Sequence, residues 1–334
     1  MSLMQDAVAP RAARSGPVGV DRPLAKNHRK IRGRALLRSF LGRALHPQHL
    51  WRAFRLHRGR KAHQRVDDDA QLALYAQILP SDFLHYGYFS DPGRMPEDIA
   101  LSELAHAQTR YAELLLELAC DNELPALDIG CGMGGLSRML RDRGYKVTAL
   151  TPDRLQAAHV RAELPDVEVI HSKFEQLDAA AHEHQYGTVF TSESLQYLKL
   201  DQALPILDKI VAPGGRWVAC DFFQRQLCEE RGGHLWETFA AQVERHGWRI
   251  ASQRDITPHI LPTLRYVHMW AHRFGVPLMH FGFLRLRRKQ PALHHLLEPT
   301  LDSLEAVAAN NLRLIDPIRF AEHKRYLLLT LERA

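Results

Sequence analysis

The stretch LDIGCGMGGL, Leu127–Leu136, follows a short apolar run and decides how the rest of the chain is read. Gly130, Gly132 and Gly135 satisfy GxGxxG, the spacing of a strand-to-helix turn whose backbone amides face a ligand. Taken alone, that spacing fits a nicotinamide or flavin dinucleotide. Asp128, two residues ahead of the first glycine, argues against it, because a carboxylate at the end of the strand repels a pyrophosphate. The same carboxylate suits a cation.

S-adenosylmethionine supplies an ammonium and a sulfonium. Its methionine portion would meet Asp128 while the glycines admit it close to the backbone. The plainer alternative is that Asp128 caps a local turn. Around the glycines, apolar runs alternate with helical stretches: ALDIG, YKVTAL, VEVIH, YGTVFTS and RWVACDFF, in chain order from Ala126 to Phe223. This alternation predicts βαβ units and a parallel sheet. A long amphipathic helix is predicted over 97–120. Two late strands, WRIASQRDIT and KRYLLLTLER, flank a helical, aromatic-rich insertion at about 257–321.

The 334 residues, 46% apolar, suffice for one large core with attachments. Four dispersed cysteines form no CxxC pair, which fits a reducing compartment better than a disulfide scaffold. No run has the length of a membrane-spanning helix, and the start lacks the apolar core of a secretory signal. None of the 20 histidines sits in HExxH, and no Cys/His set has zinc spacing, so no metal is expected.

The net charge of +6 hides an asymmetry: residues 1–65 hold 16 Lys or Arg against Asp6 and Asp21, leaving the remainder acidic. Residues 1–28 read as disordered. Two basic amphipathic helices follow, at 31–45 and from Pro47, and fit either an arm packed on the body or adsorption to an anionic membrane surface. Nucleic acid is a weaker choice, since the body is acidic. An arginine-rich, acid-poor start also resembles an organellar transit peptide.

LDIGCGMGG resembles the first motif of the class I S-adenosylmethionine-dependent methyltransferases, and the likeness extends over about residues 80–334. It implies a Rossmann-like fold with a mostly parallel seven-stranded sheet, a helical lid and a helical cap. The boundaries that follow are a basic extension at 1–66, a lid at 67–120, a cofactor-binding core at 121–222, and a cap with closing strands at 223–334. By this resemblance Asp128, Gly130, Gly132 and Gly134 hold the cofactor. VTALTPDRLQ is similar to the LTxSxxQ turn of the cyclopropane fatty-acid synthase branch, which implies cofactor contacts from Thr151 and Gln156. A strand-to-helix turn with Thr151 as its cap is the alternative. In HSKFEQLD, Phe174 and Glu175 fall where relatives place residues beside the adenine, although Phe174 equally suits the core.

ESLQYL resembles the ESxxH segment of sterol, tocopherol and small-molecule methyltransferases. Glu193 matches the acid, while Gln196 and Tyr197 stand where relatives often carry histidine. An oxygen nucleophile needs a base, whereas an alkene or ring attacks first and loses its proton afterwards, so the missing histidine favours methylation at carbon. Glu193 and Tyr197 are the candidate groups at that step, although Glu193 equally suits a satisfied acid at the strand end. FLHYGYF is similar to the lid segments HxGYW and YSCAYF, which implies that Tyr86 lines the acceptor pocket and Tyr88 closes on the cofactor. Tyr86 stands where cyclopropane synthases carry a cysteine, which argues against cyclopropanation.

The expected function is methyl transfer from S-adenosylmethionine to a hydrophobic small molecule or lipid, at carbon, in the cytoplasm with peripheral membrane attachment. The alternatives are O- or N-methylation of a natural product, an NAD-dependent oxidoreductase, and a non-catalytic lipid-binding protein.

Overall fold

Four of the apolar runs are buried on both faces, and their strands lie side by side because βαβ crossovers cover both sides of a parallel sheet. The structure, a computed structural model, describes residues 82–227 and 232–334 together with Gly42, 46–52 and 54–55. The chain divides into two units, Met1–Leu50 and Trp51–Ala334. Residues 47–52 and 54–55 are helical, within the second predicted basic helix. The first, Gly42 apart, and residues 67–81 of the expected lid lie outside the described residues.

The described body runs α1 (Leu101–Leu116), β1 (Ala126–Ile129), α2 (Gly135–Asp142), β2 (Val147–Thr151), α3 (Arg154–Glu163), β3 (Glu168–His171), β4 (Tyr186–Ser192), α4 (Leu200–Ile210) and β5 (Val211–Gln224). It continues with the two-residue β6 (His234–Leu235), α5 (Trp236–Arg245), β7 (Trp248–Asp255), α6 (Thr257–Trp270), α7 (Val276–Lys289), α8 (Pro291–Leu314), α9 (Pro317–His323) and β8 (Lys324–Arg333). The order across the sheet is β3-β2-β1-β4-β5-β8-β7, with β6 paired to β5 off this path. β1 to β5 are parallel, and β8 enters antiparallel between β5 and β7. The seven-stranded expectation therefore meets an eighth, very short strand. The long helix starts at Leu101, because Ile99 and Ala100 are extended after the 3₁₀ turn Pro96–Asp98.

Alternation along each strand sorts side chains onto two cores. Leu127, Ile129, Trp217 and Leu327 pack with α4 and α5 on one face. Ala126, Val218, Tyr326 and Leu328 pack with α1, α2, α6 and α9 on the other. Trp217 and Trp248 are almost fully enclosed, and burial of such a side chain contributes about 3 kcal/mol. This alternation also points Asp128 to the face of Ala126, toward α2.

The strand order reverses between β2-β1 and β1-β4. Ligands of open α/β sheets bind at the carboxyl ends of the strands beside such a switch point, so the turns after Ile129 and Ser192 bound the candidate site.

Candidate active site

The two turns touch. The Ser194 hydroxyl donates to the Ile129 carbonyl at 2.5 Å, and a Cβ on Gly130 would fall 2.4 Å from the Ser194 Cβ. Gly130 also holds φ +76°, where a side chain is strained. Gly132 and Gly134 are likewise left-handed, at +55° and +85°. Asp128 is buried, and its Oδ2 accepts from the Ser137 hydroxyl at 2.7 Å. Burial lifts its pKa to about 6, against the pull of the Ser137 bonds. It thus ties the glycine turn to the first turn of α2 and stands directly behind it.

Next to it, Thr151 donates to Gln156 Oε1 at 2.7 Å and accepts the Asp153 N–H at 3.2 Å. The cap of α3 is Asp153, whose carboxylate accepts the Gln156 N–H at 2.9 Å, and not Thr151. The structure therefore brings Thr151 and Gln156 together at the end of β2. Phe174 lies in the core among Ile129 and Leu150, and Glu175 accepts the Lys199 N–H at the start of α4 at 3.0 Å. Both have structural uses at the places the sequence gives to adenine contacts.

Residues 82–89 cross the carboxyl edge of the sheet. Phe83 covers Gly135, whose Cβ would meet the ring at 2.5 Å, and Leu84 lies over Gly132. Gln108 of α1 donates to the carbonyls of Phe83 and His85, and the Thr263 hydroxyl of α6 accepts the Gly87 N–H at 3.0 Å. At its centre the Tyr86 N–H donates to Glu193 Oε1 at 2.8 Å.

Glu193 is the hub of a buried polar cluster. The Tyr326 hydroxyl of β8 donates to the same oxygen at 2.5 Å. Tyr326 is linked to the Tyr111 hydroxyl at 3.0 Å, and Tyr111 donates to the Cys220 carbonyl at 3.2 Å. Burial raises the Glu193 pKa to about 8, against the two hydrogen bonds, and nearby Asp221 adds to the rise. Glu193 has φ +52°, rare for a side chain of its size and found where a site fixes a strained residue. Asp221 accepts the N–H groups of Gln196 at 3.0 Å and Phe222 at 2.8 Å; burial lifts it to about 7.

His85 stacks on Tyr111 at 4.1 Å. Its Nδ1 lies 2.8 Å from the Tyr86 carbonyl, which requires the proton on Nδ1, and its enclosed Nε2 has no partner among the described residues. Burial drives its pKa down to about 4.

Two of the expected site residues lie apart from this cluster. Tyr197 is 77% exposed and stands outside this cluster, because the 3₁₀ turn Leu195–Tyr197 carries Leu195 inward and Tyr197 to the surface. Tyr88 stacks on His259 at 4.5 Å and accepts from Arg254 at 2.7 Å, beside β7 and four strands from the glycine turn. Sequence reasoning missed Tyr326, Tyr111 and Asp221. The only signal for Tyr326 was a tyrosine at the start of an apolar strand. Among the described residues, no cluster of His, Cys, Asp and Glu has the arrangement of a metal site.

Residues 126–215 match the family model described as a methyltransferase domain. The likeness is confined to this segment, which holds the glycine turn, Asp128, Thr151 and Glu193 and excludes the lid, the insertion and Tyr326. Over 158 residues the chain is 32% identical to 2-methyl-6-phytyl-1,4-hydroquinone methyltransferase of Synechocystis sp., covering 43% of this chain and 46% of that protein. The chain spans about half the length of the curated relatives it matches. Geranyl diphosphate C-methyltransferase from Streptomyces coelicolor superposes with a TM-score of 0.55 at 17% identity, over 80% of this chain and 94% of that one. The [4+2]-cyclase SpnF does so at 0.55 and 19%, over 75% and 88%. The fold is the Rossmann-like fold of class I methyltransferases.

Proposed function

We propose that the chain transfers a methyl group from S-adenosylmethionine to a hydrophobic small molecule or lipid, at carbon. The observation that carries this reading is the Glu193 carboxyl, part-buried at the carboxyl end of β4 on a strained backbone and aimed by Tyr86 and Tyr326. The residues around the switch point fit the cofactor: a glycine turn that tolerates no Cβ at Gly130, with a buried acid directly behind it. Asp128, Gly130, Gly132, Gly134, Thr151 and Gln156 would hold it. Gln156 accepts from Thr151 through its oxygen, which leaves its amide nitrogen as a donor.

When bound, S-adenosylmethionine supplies an electrophilic methyl on a cationic sulfur. Methylation of an acceptor double bond or electron-rich ring would form a carbon–carbon bond as the methyl–sulfur bond breaks, leaving the cofactor as S-adenosylhomocysteine and the acceptor as a cation. Glu193, held in place by Tyr86 and Tyr326, then accepts the departing proton. A carboxyl with a pKa of about 8 is largely protonated at neutral pH; a neighbouring cation favours its charged form and prepares it as the base. The 82–86 segment, held over the site by Glu193 and Gln108, would limit the access of water to the cationic stage.

Two of the similar proteins are named for hydrophobic acceptors, a phytyl-bearing hydroquinone and geranyl diphosphate, the second methylated at carbon. One observation favours O-methylation, the bare Nε2 of His85 as a base. A pKa of about 4 makes it a weak proton acceptor, so the carbon reading stands first. Calorimetric titration with S-adenosylhomocysteine and with NADH tests the cofactor. Binding of the first alone is expected; binding of NADH alone would move the chain to the oxidoreductases.

A further inference from the structure

The helical insertion carries an apolar stripe whose far part, from Trp270 onward, is exposed among the described residues. It starts at Tyr266, buried on α6 beside Phe89 and Leu104, which meets Trp270 edge-on at 6.1 Å. Trp270 stacks on Phe274 at 4.5 Å. A π-helical turn, Ala271–Gly275, then resets the register into α7. The part-buried Val276, Met279, Phe283 and Leu286 recur at spacings that make one helix face, and α7 packs against α8. The other face shows Phe274, Leu278, Phe281 and Leu284, exposed at 56, 71, 57 and 55%.

The charge on this helix runs one way. α7 contains Arg285, Arg287, Arg288 and Lys289 and no Asp or Glu, and all four cations are exposed. None has an ion-pair partner among the described residues. An exposed aromatic stripe beside unopposed cations is the pattern of a helix lying in the headgroup plane of an anionic bilayer. Its aromatics enter the acyl boundary and its arginines meet lipid phosphates.

We propose that the exposed face of α7, continued by Phe274 and Trp270, docks the protein on an anionic lipid surface. The other end of this stripe reaches the site, because α6 carries the Thr263 hydroxyl that holds Gly87 of the lid. The docked chain would take its acceptor from the bilayer. That purpose rests on the hydrophobic-acceptor reading above; the docking itself does not require methyl transfer.

The test uses the full chain without cofactor, in co-sedimentation with vesicles of phosphatidylcholine alone or containing phosphatidylglycerol. Binding to the anionic vesicles only is expected. Leu278→Asp with Phe281→Asp should weaken it by about a hundredfold. Arg285→Glu with Arg287→Glu and Arg288→Glu should weaken it comparably, and both sets should keep the circular dichroism of the parent because the replaced residues are exposed. Undiminished binding by both variants would overturn the proposal and assign adsorption to the basic residues 1–65. A parent that ignores vesicles, or that is a dimer dissolved by the Asp substitutions, would overturn it too and give this face to a second copy. Absent methyl transfer with α7-dependent vesicle binding would refute the enzymatic reading and leave the docking surface standing.

Discussion

Replacing Glu193 with Gln should make the protein more stable at neutral pH while it abolishes turnover. The carboxyl's pKa is raised by burial from 4.5 to about 8. Below pH 4.5 the group is protonated both folded and unfolded, and its titration costs nothing. Above that, the unfolded chain ionises freely while the folded one holds its proton, so stability falls as pH rises and levels off beyond 8. At about 1.4 kcal/mol per pH unit, the cost at pH 7 is about 3 kcal/mol for a fully dry carboxyl. Glu193 retains some exposed surface, and water reaching it trims this to roughly 2 kcal/mol. Glutamine keeps an oxygen for the Tyr86 and Tyr326 donors and has no proton to lose. Its new amide donor needs a partner, and this offset is the same at every pH. The difference in Tm between Glu193→Gln and the parent should therefore grow in the variant's favour by roughly 3–4 °C from pH 4.5 to 7. Asp128 and Asp221, also raised by burial, titrate in both proteins and cancel. Thermal scans of both across that range measure it, and parallel curves would refute the buried-carboxyl argument.

Cofactor binding should move the same proton. At pH 7 the sulfonium should expel between about a half and one proton from Glu193, and the neutral thioether of S-adenosylhomocysteine should expel far less. Calorimetry in buffers of different ionisation enthalpy counts them, and equal counts would remove Glu193 from the neighbourhood of the sulfonium. Tyr326→Phe should lower kcat by about tenfold and leave the KM for cofactor near the parent value, since it deletes one hydrogen bond to a charged group; a change in KM alone would make Tyr326 a binding residue. Gly130 and Gly214 share φ +76°, but a Cβ at Gly130 would strike Ser194 and one at Gly214 would meet nothing within 4 Å. In urea unfolding, Gly214→Ala should cost about 1 kcal/mol and Gly130→Ala at least about 3 kcal/mol; equal losses would show that the two turns do not touch.

The sheet was legible because its strands are apolar runs bounded by turns, a signal each segment carries by itself. The positions of Asp128, Thr151 and Glu193 at or just after strand ends, and of Gln156 in the first turn of α3, follow from the same strand-to-helix pattern. The partners that give Glu193 its chemistry were not legible. Tyr326 is 133 residues from it, and Tyr111 is 215 from Tyr326. Their meeting depends on β8 entering antiparallel beside β5 and on α1 packing over that face, facts of sheet order that no local pattern holds. Tyr197 and Tyr88 show the converse effect: each is near in sequence to a residue of the cluster, Ser194 to Leu198 making one turn and Tyr86 to Tyr88 one strand-like step. Local geometry carried both away from it.

The most direct test of the central claim is incubation of methyl-labelled S-adenosylmethionine with the protein and an extract of its source cell, followed by partition between organic and aqueous phases. Protein-dependent label in the organic phase, on a carbon-bound methyl by NMR and absent with Glu193→Gln, is the predicted result. Label confined to the aqueous phase, or to a methyl on oxygen or nitrogen, would contradict it.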